Sequence, residues 1–306
     1  VTFDTPPPTP TVEMAKFQLS GSIVAMITPF TDDDQVDYAK IEELVEWHIA
    51  EGSSGILPCG TTGESPTLSD EETRKVIETV VKKAAGRCKV VGGGGSNSTA
   101  KAVKAAQMCK DVGCDVVLSV IPYYNKPTQD GLFAHFSEVA KVGIPIMLYN
   151  IPGRCGGAGL SSATIGKLWE LPMVCSIKEA TGSVDFASEI RSVCDIQIFS
   201  GDDSLTVPLM SVGAKGVVSV AANLTPKKMA ELCAAMDKGD LAAAQKTHAE
   251  LYKLCKAMFC ETNPIPCKAA GAMMGKWKQN FRLPMTKLRA ENEAPLKAAL
   301  QVAGLL

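Results

Sequence analysis

No two of the eleven cysteines are spaced as C-x-x-C, and the three histidines, His48, His135 and His248, lie far apart. That spacing argues against a zinc site built from closely spaced ligands. Odd in number and scattered through apolar segments, the cysteines read instead as buried free thiols of a reducing compartment, where they act as small hydrophobes. Charge of one sign is also missing. Lys+Arg 31 against Asp+Glu 33 leaves a net −2, which gives no electrostatic case for nucleic acid or an anionic membrane as partner. No apolar run approaches the roughly 18 residues of a spanning helix. A phosphate loop is absent as well: Gly92–Gly95 continues as Ser96–Asn97–Ser98, so G-x-G-x-x-G fails at its third glycine, and no G-K-[ST] follows.

What remains is a chain of 306 residues, 46% hydrophobic and 21% charged, a balance that excludes general disorder and suffices for one large core or two modest ones. Residues 1–16, with Pro6, Pro7, Pro8 and Pro10, lack apolar periodicity and are expected to form a flexible extension. The start at Val1 suits what remains of a processed precursor, but the segment holds no arginine, so it is not read as a transit peptide. The proline-rich start nonetheless tilts the expectation for this soluble protein toward a processed plastid form over a cytoplasmic one.

From Gly21 onward, short β-branched runs alternate with helical patterns. The runs are Ile23–Ile27, Gly55–Pro58, Lys89–Val91, Val116–Val120, Ile144–Tyr149, Val174–Ile177, Ile196–Phe199 and Gly216–Val220. Their spacing of roughly 20 to 35 residues is that of a βα unit. Between them, Ile41, Leu44, Val45, His48 and Ile49 keep one helical face, as do Val76, Ile77, Val80, Val81 and Ala84. His48 on such a face reads as a packed core histidine. Ser69 with Glu72 reads as a capping box, Thr225–Pro226 as a helix start, and Asn97 or Ser98 as another. The glycine run 92–95 reads as a strand end lying close to other backbone.

Apolar strands flanked by helices imply a parallel α/β sheet covered on both faces. Eight units close most economically as a (β/α)8 TIM barrel, with a doubly wound open sheet as the alternative. The expected division places barrel strands and most helices in 17–225, and the last barrel helix with a C-terminal helical extension in 226–306.

In such barrels the chemistry sits where strands end. Those ends bring together one cation, several hydroxyls and small loops. Lys178 stands out, because Val174–Ala180 should be an apolar barrel strand. At a reference pKa near 10.4 only about one lysine in a thousand is neutral at pH 7.4. Desolvation in a barrel mouth favours the neutral amine, which attacks ketones to form a Schiff base. A lysine reaching water from the strand end is the plainer reading, and sequence physics alone leaves both open. Thr61 and Thr62, in a glycine-flanked loop, could cap a turn or cradle a carboxylate. Tyr123, Tyr124 and Tyr149 could be rim aromatics. Arg154 is a natural carboxylate fork.

Five blocks then align in order: Gly60-Thr-Thr-Gly-Glu-Ser-Pro-Thr-Leu68, Pro122-Tyr-Tyr-Asn-Lys-Pro127, Leu148-Tyr-Asn-Ile-Pro-Gly-Arg154, Ile177-Lys-Glu-Ala-Thr-Gly182 and Ser200-Gly-Asp-Asp203. With Asn263-Pro-Ile-Pro266 and Arg282-Leu-Pro-Met285, the sequence from about Gly21 to Leu306 resembles the dihydrodipicolinate synthase family of pyruvate-dependent class I aldolases. The resemblance implies that Lys178 forms the Schiff base with pyruvate. It makes Thr61, Tyr149 and Tyr124 a proton relay, with Tyr124 reaching into a neighbouring subunit. Thr61 and Thr62 would cradle the pyruvate carboxylate, and Arg154 would hold the carboxylate of L-aspartate-4-semialdehyde. Gly201 and Val218 match pocket-lining positions. The implied reaction is condensation and cyclisation to 4-hydroxy-tetrahydrodipicolinate, toward lysine and diaminopimelate, with no cofactor or metal and in a homodimer or homotetramer.

A sister reading keeps the Schiff base and changes the aldehyde, as in N-acetylneuraminate lyase or 2-keto-3-deoxy sugar acid aldolases. The segments around Arg154 and Lys178 argue against it. A catalytically silent barrel is the other alternative. Lysine-inhibited relatives bind free lysine near positions that fall here at Ser65, Pro66, Asp70, Thr73, Asn97, Lys101 and Tyr123. They carry a glutamate where Lys101 stands, and a histidine or tryptophan at Asp70. The reversed charge leads us to expect an enzyme insensitive to lysine.

Overall fold

The β-branched runs form one closed parallel barrel in the computed structural model, which describes residues 16–306. The expected extension 1–16 lies outside the described residues except for Lys16, whose Nζ donates to the carbonyls of Trp169 and Leu171 at 2.8 and 2.6 Å. In chain order, β1 (Gly21–Ala25) leads to α1 (Tyr38–Ala50), β2 (Gly55–Leu57) to α2 (Asp70–Ala84), β3 (Lys89–Gly93) to α3 (Thr99–Asp111) and β4 (Val116–Val120) to α4 (Gln129–Ala140). β5 (Ile146–Asn150) leads to α5 (Ser162–Trp169), β6 (Val174–Glu179) to α6 (Val184–Val193), β7 (Gln197–Ser200) to α7 (Thr206–Ser211) and β8 (Gly216–Ser219) to α8 (Pro226–Asp237). Each strand pairs with the next, and β8 closes on β1 through Gly21↔Gly216 and Ile23↔Val218. The C-terminal extension is α9 (Leu241–Ala257), α10 (Ile265–Met273) and α11 (Ala290–Val302).

Local signals act as their chemistry dictates. Ser69 Oγ accepts from the Glu72 amide at 3.1 Å and Glu72 Oε2 accepts from the Ser69 amide at 2.9 Å, a complete capping box that opens α2. Ser98 and Thr225 are the N-cap residues of α3 and α8, though neither side chain makes the cap hydrogen bond. His48 is fully buried on α1. A Cβ on Gly93 would stand 2.0 Å from the Cys59 carbonyl oxygen, and one on Gly95 would stand 2.4 Å from the Val120 amide nitrogen. Only glycine lets these backbones approach so closely.

The core has two shells. Val24, Ile56, Val90, Val117, Leu148, Ile198 and Val217 pack outward under the helices, while Ile23, Leu57, Val91, Leu118, Tyr149, Phe199 and Val218 fill the barrel. Side chains alternate between shells along each strand, as period two requires. β6 breaks this rule. Ile146 pairs with Val174 but Met147 pairs with Ser176, so Cys175 is an extra residue, a bulge. Val174 and Ile177 therefore both face outward although they are three residues apart.

Candidate active site

The bulge decides where Lys178 points. Counting inward and outward residues from Val174 without it would turn Lys178 toward the helices; the extra residue turns it into the barrel mouth. Its register partners are Tyr149 on β5 and Phe199 on β7, both in the inner shell. Lys178 is 6% exposed and Tyr149 5%, and the lysine Nζ lies 4.3 Å from the centre of the tyrosine ring. Among the described residues no carboxylate pairs with the lysine. Lys178 thus belongs to the strand itself, one residue beyond the run expected from sequence.

The next residue on each strand locks the pair in place. Asn150 Nδ2 donates to Glu179 Oε2 at 2.9 Å, the Thr181 amide donates to Glu179 Oε1, and Asn150 Oδ1 accepts from the Leu160 amide at 3.0 Å. Burial raises the Glu179 carboxyl above the usual range, partly offset by these donors. Asp203 is held in the same way by Ser219 Oγ and the amides of Val220 and Ala221, and burial also raises it. A carboxylate with two or three fixed donors is a strut, and these brace the strand ends.

Thr61 and Thr62 lie in a run of tight turns after β2, where Gly63 and Ser65 amides donate to the Gly60 carbonyl and the Glu64 amide to that of Thr61. Thr62 is 2% exposed. Its Oγ1 accepts from Asn263 Nδ2 at 2.9 Å, and the Asn263 carbonyl accepts from Arg154 Nη2 at 3.4 Å. One residue of the C-terminal extension therefore bridges the threonine loop and the arginine expected to hold the second substrate. Glu64 closes the loop with its carboxylate on Lys268 Nζ at 2.6 Å. Glu64 and Asn263 stand within the motif blocks without an assigned role, and Lys268 lies outside the residues singled out from sequence. A buried lysine in an apolar helix, such as α10, was the available signal.

A cavity of about 590 Å³ opens beside this constellation, lined by Thr61, Tyr149 and Arg154 together with Ser65, Pro66, Asp70, Thr73, Lys101 and Tyr123. Three of the catalytic and substrate-binding positions expected from sequence thus share one space with most of the expected regulatory ones. Lys178, Thr62, Gly201, Val218, Tyr124 and Asn97 are not part of its lining. Val218 is buried in the inner shell, and Gly201 packs so tightly that a Cβ would meet that of Ala180 at 2.6 Å. Asn97 touches the lining through Tyr123, its Nδ2 donating to the Tyr123 carbonyl at 3.2 Å. Lys104 lines the cavity and pairs with Asp70 at 3.1 Å, a cation the sequence reading missed.

Tyr124 sits apart, 90% exposed with a left-handed φ of 72°. A bulky residue takes that conformation at some cost, which is tolerated where the side chain must be presented. Two cavity thiols are poor nucleophiles: burial raises Cys59 well above the ordinary thiol value and pushes Cys155 up to about 11, so both stay protonated near neutral pH. Among the described residues no group of three His, Cys, Asp or Glu side chains could hold a metal ion.

The sequence of residues 18–303 matches the model of the dihydrodipicolinate synthetase family. Over 289 residues the chain is 48% identical to the 4-hydroxy-tetrahydrodipicolinate synthase of Thermodesulfovibrio yellowstonii, covering 94% of this chain and 99% of that one. Its fold matches the chloride-inhibited dihydrodipicolinate synthase of Acinetobacter baumannii, crystallised with pyruvate, with a TM-score of 0.92 at 42% identity over 94% and 100% of the two chains. The lysine-bound enzyme of Cyanidioschyzon merolae gives 0.91 at 39% identity over 94% and 99%. With a buried lysine facing a barrel mouth, a threonine loop and an arginine around one cavity, and relatives that span nearly the whole chain, this protein belongs to the dihydrodipicolinate synthetase family.

Proposed function

We propose that this chain is a 4-hydroxy-tetrahydrodipicolinate synthase, a Schiff-base lyase that condenses pyruvate with L-aspartate-4-semialdehyde. The observation that carries the reading is Lys178 turned into the barrel mouth beside Tyr149, with Nζ 4.3 Å from the ring centre. The neutral Lys178 amine adds to the ketone carbon of pyruvate, and loss of water gives the Schiff base. Removal of a methyl proton gives an enamine, whose carbon attacks the aldehyde. The substrate's own amine then attacks the imine carbon, closes the ring and displaces Lys178. Protons move through Tyr149 and Thr61, with Tyr124 supplied by a second copy of the chain. Thr62 and the neighbouring loop backbone hold one carboxylate, and Arg154 forks the other. Gly201 and Val218 shape the strand ends around them.

The exposure of Tyr124 supports a homo-oligomer, a dimer or a pair of dimers, in which a neighbour receives it. Lys101 and Lys104 beside Asp70 in the cavity wall support insensitivity to L-lysine. Among the described residues no helix is long and apolar enough to cross a membrane. The relative from Thermodesulfovibrio yellowstonii is bacterial, which does not favour the plastid expectation over the cytoplasm. Borohydride reduction in the presence of pyruvate tests the reading: a stable adduct is expected on the peptide carrying Lys178, and turnover with aspartate semialdehyde but not with acetylmannosamine. An adduct on another lysine, or acetylmannosamine as the better substrate, contradicts it.

A further inference from the structure

We propose that Lys268, on α10 of the C-terminal extension, is a positioning residue for the Thr61–Thr62 loop and acts through its buried ion pair with Glu64. The proposal deepens the catalytic reading above and rests on it for the role of the threonines.

Glu64 ends the loop in a left-handed conformation, φ 53°, which a residue with a Cβ keeps only where its surroundings hold it. Its amide donates to the Thr61 carbonyl at 3.1 Å, so the place of Glu64 fixes that of Thr61. Its carboxylate is gripped on both oxygens, by Lys268 Nζ at 2.6 Å and by the Arg282 amide at 3.3 Å. The same Nζ donates to the Thr28 carbonyl just beyond β1 at 3.0 Å. Thr28 Oγ1 in turn donates to the Gly63 carbonyl at 2.7 Å. One ammonium thus ties the segment after β1 to the C-terminal end of the turn that carries the threonines, at Gly63 and Glu64.

The pair is sealed from water. Its side chains are 0% and 1% exposed, and the rings of Phe30 and Phe281 cover Nζ at 4.3 and 4.9 Å. Burial lowers the Lys268 pKa and raises that of Glu64, and each group offsets the shift in the other. Such a pair contributes little to stability compared with apolar side chains of similar size. What it supplies here is one defined place for the loop, because a charge buried at this depth is satisfied in only one geometry. Asn263, from the same extension, adds a second hold on Thr62.

The test is the full-length Glu64→Gln/Lys268→Met double variant, which removes both charges and so leaves none unpaired. Lys268→Met alone buries an unpartnered carboxyl, and the double variant decides even if the single one does not fold. The double variant is expected to fold with a melting temperature near that of the wild type, and to raise KM for pyruvate about tenfold while KM for aspartate semialdehyde stays within about twofold. Hydrogen exchange in a peptide spanning 60–68 should accelerate while peptides from β4–β6 stay unchanged. A purely structural pair would lower the active fraction and leave both KM values alone. Unchanged KM values with unchanged exchange at 60–68, a parallel change in both KM values, or a double variant that does not fold would each overturn the proposal. Exchange is measured without substrate, so it still decides if the wild-type protein fails to condense this pair of substrates.

Discussion

Tyr149 and Lys178 face each other as register partners on adjacent barrel strands, with the lysine Nζ 4.3 Å from the centre of the tyrosine ring. The contact puts an amine and a phenol side by side, the two residues being 6% and 5% exposed.

Lys178→Ala should lower kcat by several powers of ten, because the covalent route disappears, and Lys178→Arg should fail alike since guanidinium does not lose its proton. Steady-state kinetics with thermal unfolding as a control measures this. Retention of a tenth of the activity by either variant would sink the covalent role.

Tyr124→Phe should lower kcat far more than KM, as expected for a proton-transfer group. Its 90% exposure fits a side chain that works in a neighbour's site. Mixing inactive Lys178→Ala and Tyr124→Phe subunits should restore part of the activity, because one site in each mixed dimer regains both groups. Mixed dimers with no recovered activity would place Tyr124 outside the partner's site.

L-Lysine at about 10 mM should leave the rate essentially unchanged, tenfold above the concentration that half-fills a site of roughly −4 kcal/mol. Lys101 presents positive charge to the cavity, and Asp70, the nearby carboxylate, is paired with Lys104 at 3.1 Å. A cationic ligand meets repulsion from the first and finds the second engaged. Lys101→Glu should create measurable inhibition. Half-inhibition of the wild type below about 1 mM contradicts the charge argument.

His48 should make the fold less stable in acid. It is fully buried, neither ring nitrogen has a hydrogen-bond partner among the described residues, and burial lowers its pKa from 6.5 to about 3, with Lys276 adding repulsion. A folded pKa below the unfolded one means that the unfolded chain takes up the proton first as pH falls. The loss therefore begins near pH 6.5 and levels off near pH 3. At 1.36 kcal/mol per unit, the histidine removes about 3 kcal/mol between neutrality and about pH 4. Urea unfolding of His48→Leu at the two pH values should show a smaller difference by that amount. An unchanged difference would show that His48 is not the group responsible.

Sequence alone determined the alternation of eight apolar runs with amphipathic helices, and hence a parallel α/β fold for which a closed barrel is the most economical form, because strand and helix periods are local properties of the chain. It also determined the cap at Ser69 and the motif blocks that carry Thr61, Tyr149, Arg154 and Lys178. The direction of Lys178 was not legible, because a strand buried on both faces is apolar on both and its pattern does not say which residue looks inward. The bulge at Cys175 settles it, and that bulge exists only against the register of β5. Nor could sequence place Lys268 on Glu64, 204 residues earlier, or Asn263 on Thr62, 201 residues earlier. Those contacts follow from closing the barrel and folding the C-terminal helices over it. Only tertiary structure brings distant polar groups into a dry space where each must find a partner.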